Sequence, residues 1–110
     1  MIRISFKYNG NNDPIAFKCS GHAGYAAKGK DIVCAAVSVL TLNTVNSIEE
    51  FTDDDFLLDY NEDNGFMFFR FNDDTVPSEE ALLLLKSLEL GIKGIAGENK
   101  GFIKLTEWEV

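Results

Sequence analysis

Residues 31 to 51 read DIVCAAVSVLTLNTVNSIEEF, and this stretch decides the fold because its apolar residues recur at helical spacing. One apolar stripe comprises Val33, Val37, Leu40, Ile48 and Phe51. A second apolar face is formed by Ile32, Val39, Leu42 and Val45. A helix that is apolar on more than one side does not lie with one face in water. We therefore expect a central helix, or one that joins an oligomer interface.

Short runs of alternating polar and apolar residues stand on both sides of this helix. Before it, residues 1–8 and 15–20 are separated by a dense turn cluster, Asn9 to Pro14, which predicts a β-hairpin. After it, the aromatic runs 56–60 and 66–71 flank an Asn-Gly turn, which predicts a second hairpin.

The last third of the chain predicts a second helix and a final strand. The sequence Pro77 to Glu80 supplies a cap and first-turn acids for a helix that runs from Ala81 towards Ile92 or Ile95, with Gly97 past its end. Residues 102–109 alternate again and predict a strand. The order β-β-α-β-β-α-β predicts an α+β fold, with two helices on a largely antiparallel sheet of about five strands.

Length and charge limit the class of protein. A chain of 110 residues predicts one domain, 1–110. Eighteen acidic and ten basic residues give a net charge of -8, which disfavours direct nucleic-acid binding and suits a basic partner. The alternating start, Met1 to Phe6, is unlike a signal peptide, and we expect no apolar stretch of membrane-spanning length. The sequence predicts a cytoplasmic protein with no membrane partner.

A cysteine at the start of the long helix is the strongest candidate for chemistry. Asp31 is the predicted N-cap, which places Cys34 in the first turn, where unpaired N–H groups favour a thiolate. The single histidine, His22, lies in a glycine-rich loop that leads into the helix. The spacing therefore permits a Cys-His dyad.

Other interpretations of these residues stay open at this point. Cys34 is also consistent with a small core residue, because free cysteine is often buried. Cys19, His22 and Cys34 with Asp31 are a weak zinc pattern, and a Cys19–Cys34 disulfide is unexpected in a cytosolic chain.

A phosphate-binding loop is the main rival motif. Gly24 to Asp31 nearly matches the P-loop pattern, but Asp31 replaces the hydroxyl that reaches magnesium. The hairpins also lack the parallel sheet of those nucleotide-binding folds. Residues 59–70 echo a calcium loop, although a hairpin turn explains them better.

The segment Gly21-His22-Ala23, followed by residues 29–38 (GKDIVCAAVS), resembles the signature of the ribosomal-processing cysteine protease family, Prp. The rest of the chain agrees in length and element order. The resemblance implies a cytoplasmic, homodimeric endopeptidase that removes the N-terminal extension of a large-subunit ribosomal protein. The resemblance implies no cofactor and no metal.

The resemblance also assigns roles to residues. It implies that Cys34 is the nucleophile and His22 the general base, with Asp31, Ser38 and Gly21 in support. Asp31 cannot both cap the helix and freely orient His22, so we favour the cap and leave open whether Asp31 is a third catalytic residue.

The sequence gives further expectations for the glycine-rich loop before the helix and for the substrate, and it leaves two rival functions open. Gly24, Tyr25, Gly29 and Lys30 are predicted to form a loop that gates the substrate. The negative net charge suits a basic ribosomal substrate. The remaining rivals are a P-loop-like nucleotide-binding module and a non-catalytic, ribosome-associated adaptor.

Overall fold

The computed structural model describes residues 1–21, 30–63 and 65–109, with residues 30 and 31 described by their backbone alone. Seven elements follow one another along the chain. They are β1 (Ile2–Tyr8), β2 (Pro14–Ser20), α1 (Lys30–Phe51), β3 (Phe56–Asn61), β4 (Phe66–Phe71), α2 (Glu79–Glu98) and β5 (Ile103–Leu105). The predicted element order is confirmed.

The five strands form one sheet in the order β3-β4-β2-β1-β5. Both predicted hairpins are present as antiparallel pairs, and β2 also pairs with β4 in an antiparallel sense. Among the described strands, β1 and β5 are the parallel pair. The α+β class with a largely antiparallel sheet is therefore confirmed, and this sheet is unlike the parallel sheet of P-loop nucleotide-binding folds.

Both helices pack on the same face of the sheet. Phe6, Phe17 and Phe69 lie side by side on adjacent strands, and the rings of Phe17 and Phe69 stack with centroids 5.3 Å apart. These side chains share one buried cluster with Val37 of α1 and Leu85 of α2. We call this the inner face of the sheet. Neither described helix covers the opposite, outer face.

Helix α1 is apolar on two sides, as predicted. Val33, Val37 and Ile48 are buried in the core, whereas Ile32 and Val39 are 74% and 66% exposed. The segment Ile32–Phe51 is long and apolar enough to cross a membrane by length and composition. The expectation that no stretch approaches this length was therefore wrong. Of this segment, 33% is buried, so packing in the core accounts for part of its apolar content.

Helix α1 also begins one residue earlier than predicted. Lys30 is its first residue, so Asp31 is the second helical residue and not the N-cap. Lys30 likewise belongs to the helix rather than to the loop before it. Cys34 becomes the fifth residue of α1, which places it at the start of the second turn instead of the first.

Helix α2 is longer than its glycines suggested, and β5 is shorter than its alternation suggested. Gly97 lies inside α2, which ends at Glu98. Gly91 has a packing reason, since a Cβ there would lie 3.0 Å from a methyl group of Leu40 on α1. Tertiary packing of this kind outweighs the low helix propensity of glycine. The last strand stops at Leu105, although the Thr106 amide still donates a hydrogen bond of 2.9 Å to the Ile4 carbonyl of β1. Beyond it, Trp108 packs against Phe68.

The start of α2 is fixed by the predicted cap. The Ser78 hydroxyl accepts a hydrogen bond from the Ala81 amide at 3.1 Å and donates one to the Asp54 carboxylate. The Ser78 amide donates to the other Asp54 oxygen at 2.7 Å. Partial burial raises the pKa of Asp54, but the hydrogen bonds from Ser78 outweigh it and leave that pKa below its usual value. Ser78 therefore ties α2 to the connection between α1 and β3.

Candidate active site

Gly21 ends the β1–β2 hairpin in a conformation that favours glycine. Its φ is +102°, and a Cβ built on it would lie 2.2 Å from the carbonyl oxygen of Met1. An L side chain at this position would be strained by its backbone and would also clash with β1. Because it is a glycine, this residue lets the chain leave β2 close to the Met1 carbonyl, immediately before His22 in the sequence.

Cys34 opens into a cleft of about 330 Å³ between α1 and the end of the β3–β4 hairpin. Its side chain is half-buried, and Gly21 lies in the wall of the same cleft. The thiol therefore reaches a space large enough to hold a peptide side chain. A cysteine sealed in the core, which was the main alternative, does not fit this position.

Cys19 also lines the cleft, but it is a core residue. Only 5% of it is exposed, and burial raises the pKa of its thiol to about 12. A thiol in that state does not become a nucleophile near neutral pH. Among the described residues there is no group of three His, Cys, Asp or Glu that could hold a metal ion.

Ser38 lies one helical turn after Cys34 and lines the same cleft. It is exposed. Its carbonyl oxygen accepts a hydrogen bond of 3.2 Å from the buried hydroxyl of Thr41, which also bonds the Val37 carbonyl. The structure thus brings together three of the predicted site residues, Gly21, Cys34 and Ser38.

The amides at the start of α1 lie on the side of the helix towards which Cys34 projects. In a regular helix, the N–H groups of the first three helical residues have no partner within the helix, and these belong to residues 30–32. Cys34 lies two residues after them, and helical side chains tilt towards the N-terminus. The unpaired amides are therefore one turn before the cysteine rather than at it, as an N-cap at Asp31 would have required.

Several predicted site residues lie outside the part of the chain that the structure describes. These are His22, Gly24, Tyr25 and Gly29, together with the side chains of Lys30 and Asp31. The pairing of His22 with Cys34 and the gating role of the loop stay predictions. Gly21, the last described residue before this segment, lines the cleft.

Sequence reasoning missed the second wall of the cleft. Tyr60, Glu62, Phe66 and Met67 contribute to it from the β3–β4 hairpin. The Asn-Gly turn and the aromatic runs identified this hairpin, but not what its end faces. That placement follows from the pairing of Met67 with Cys19, which sets β4 beside β2. No local signal in the sequence encodes this long-range register.

The sequence matches the family model described as cysteine protease Prp over residues 1–104. It is 28% identical over 108 residues to the ribosomal processing cysteine protease Prp of Bacillus subtilis, with 96% of each chain covered. It is also 28% identical to the protein of the same name from Staphylococcus aureus, over 105 residues, with 96% of this chain and 97% of the other covered.

Solved structures agree with this match. The essential ribosomal processing protease Prp from S. aureus, in complex with a substrate peptide, superimposes with a TM-score of 0.87 at 26% identity, covering 98% of this chain and all of the other. The same protease with a covalently linked product peptide gives 0.85 at 27% identity and the same coverage. The protein SMU.848 from Streptococcus mutans gives 0.82 at 30% identity, covering 97% and 93%. Together with the half-buried cysteine in its cleft, these matches show that the chain belongs to the Prp family of cysteine proteases.

Proposed function

We propose that this protein is a cytoplasmic endopeptidase that removes the N-terminal extension of a large-subunit ribosomal protein, with Cys34 as its nucleophile. The observation that carries the proposal is the position of Cys34, which is half-buried in the wall of a cleft of about 330 Å³. The S. aureus relative with a covalently linked product peptide supports it, since such a linkage requires a nucleophile on the enzyme.

The proposed reaction has two steps. The Cys34 sulfur attacks the carbonyl carbon of the scissile bond as His22 accepts the thiol proton. His22 then gives this proton to the leaving amine, and a thioester remains on Cys34. Water attacks the thioester, with its proton taken by His22, and the carboxylic acid product leaves as the thiol is restored. In this proposal, the amides of residues 30–32 at the start of α1 donate hydrogen bonds to the developing oxyanion.

The cleft suits an extended peptide with apolar side chains. Ile2, Val37 and Met67 are buried side chains that contribute to it, and Tyr60 and Phe66 add aromatic surface. Ser38 supplies a hydroxyl beside the thiol. The net charge of -8 favours the approach of a basic ribosomal protein.

We also propose that two copies of this single domain, 1–110, associate through their helices. Ile32 and Val39 are 74% and 66% exposed and lie seven residues apart, on one side of α1. Leu83 and Leu90 are 66% and 75% exposed with the same spacing on α2. Apolar stripes of this kind are typical of surfaces that pair with another protein. Sedimentation of wild type and of an Ile32→Ser/Val39→Ser variant tests this association. We expect wild type to sediment as a dimer and the variant to dimerise more weakly.

Mass spectrometry of a ribosomal protein that carries an N-terminal extension tests the function. Wild type should convert it to one shorter product, whereas Cys34→Ala and His22→Ala should leave its mass unchanged while retaining the circular dichroism of the wild type. Cys19→Ala is the matched control, because it removes the other thiol and should retain cleavage. Binding of the substrate by wild type without any change in its mass would favour the adaptor interpretation and reject the proposal.

A further inference from the structure

The outer face of the sheet carries an unusual share of the positive charge. Ten residues are basic, and the side chains of eight are described, since residues 28 and 30 are not. Five of these eight, on four neighbouring strands, alternate with inward-facing core residues and therefore point outward: Arg3, Lys7, Lys18, Arg70 and Lys104. Among the outward-facing residues of the described strands, Asp59 on β3 is the acidic one.

Most of these basic side chains lack an acidic partner. Arg70 forms an ion pair with Asp73 at 3.1 Å, but Arg3, Lys7, Lys18 and Lys104 form none with the described residues. Arg3 and Lys104 even stand directly opposite each other on β1 and β5. Like charges in this arrangement destabilise a sheet. An anion bound across the two strands would remove that cost.

Aromatic rings lie among these cations. The Lys18 ammonium is 5.0 Å from the ring centroid of Phe68 and 4.8 Å from that of Trp108. The two rings meet edge to face, with centroids 5.6 Å apart. They also border a cleft of about 370 Å³ that Lys7 and Arg70 line from opposite sides of Ala16.

We propose that this outer face binds single-stranded RNA. Sheets that bind unpaired nucleic acid combine cations for the phosphates with aromatic rings on which bases stack, and this face has both. An acidic peptide would use the cations but not the rings. The relatives of this chain are named as ribosomal processing proteases, and the nucleic acid of ribosomes is RNA.

The net charge of -8 for the whole chain is not the charge of this face. Asp53, Asp54 and Asp55 lie in the connection after α1, and the acids of α2 lie on the inner side of the sheet with their helix. Near the outer face, Asp59, Asp73 and Glu107 offset part of the charge of the five basic residues. We expect moderate, strongly salt-dependent binding, in contrast to the expectation from net charge alone.

A titration with oligouridylate tests the proposal. Trp108 is the single tryptophan of the chain, so RNA that stacks on it should change the intrinsic fluorescence. Fluorescence anisotropy of labelled RNA then gives affinities for variants. Lys7→Gln/Lys104→Gln should weaken binding at least tenfold and reduce the slope of log affinity against log salt by about 1.4, at about 0.7 for each lost phosphate contact. Trp108→Leu should also weaken it about tenfold.

The matched control is Lys86→Gln/Lys93→Gln, which has the same net charge but changes two lysines of α2, the helix that packs on the inner face of the sheet. It should change the affinity less than twofold. Equal losses in the two double variants, competition by polyglutamate as strong as that by unlabelled RNA, tighter binding of oligothymidylate than of RNA, or no binding at low salt would each overturn the proposal. Cleavage of the peptide substrate by Lys7→Gln/Lys104→Gln reports separately on the protease function, because neither lysine lines the Cys34 cleft.

Discussion

Cys19 and Cys34 line one cleft, and Cys34 is the more exposed of the two. Cys19 comes from β2 and is 5% exposed, whereas Cys34 comes from the second turn of α1 and is half-buried. The two cysteines therefore line the same cleft but differ in solvent exposure, so each serves as an internal control for the other.

Alkylation should distinguish the two thiols. We expect iodoacetamide to label Cys34 in the native protein near neutral pH and to leave Cys19 unmodified, because burial raises the pKa of Cys19 to about 12. Peptide mapping by mass spectrometry measures the site. Both cysteines should react once urea unfolds the chain, and equal native rates would contradict the burial of Cys19.

Stability should fall at alkaline pH. The Cys19 thiol has its ordinary pKa of 9.0 in the unfolded chain and about 12 in the folded protein, so its contribution is complete below pH 9 and is lost between the two values. The slope is about 1.4 kcal/mol per pH unit for one group. Tyr8 acts in the same direction, since partial burial and its hydrogen bond to Glu89 raise its pKa to about 12.

Urea unfolding at a series of pH values checks this prediction. Cys19→Ala should lower stability at neutral pH through the lost packing, yet show a shallower decline above pH 9. A decline as steep as that of wild type would mean that Cys19 is not the group responsible.

The cap of α2 should contribute measurably to stability. Ser78→Ala removes the acceptor for the Ala81 amide and one donor to Asp54, so we expect a loss of about 1–2 kcal/mol in urea unfolding. Ser87→Ala, an exposed position in the same helix, is the control and should change stability little.

Acid should weaken the same network. The pKa of Asp54 is lowered in the folded protein, so its contribution is present above its ordinary value of 3.8 and is lost as pH falls through the folded value. Wild type should therefore lose more stability than Asp54→Asn over that acidic range. A parallel decline in the two proteins would exclude this role for Asp54.

Much of this architecture follows from local patterns. Alternation, the Asn-Gly turn and the cap at Ser78 predicted every element and their order, because these signals depend on neighbours in the sequence. Helix and strand ends were less predictable: α2 continues through Gly91 because that glycine lets Leu40 approach. The hairpin wall of the cleft was not predictable, since the contact of β4 with β2 is set by packing across the sheet.

Gly21 should tolerate no side chain. Gly21→Ala places a Cβ 2.2 Å from the Met1 carbonyl oxygen at a φ of +102°, so we expect a loss of about 1–3 kcal/mol and a fall in peptide cleavage. Gly10→Ala is a suitable control because nothing lies within 4 Å of its added Cβ and its φ is not positive. Thermal unfolding and a cleavage assay measure both variants. Equal melting temperatures for Gly21→Ala and wild type would contradict the close contact with β1.

The residue that carries the acyl group of the acyl-enzyme shows directly whether Cys34 is the nucleophile. Wild type is mixed with a peptide substrate and quenched in acid within the first turnover, and mass spectrometry maps any acyl group that remains attached. The account predicts a thioester on Cys34, with Cys19 unmodified. An acyl group on any other residue would contradict it.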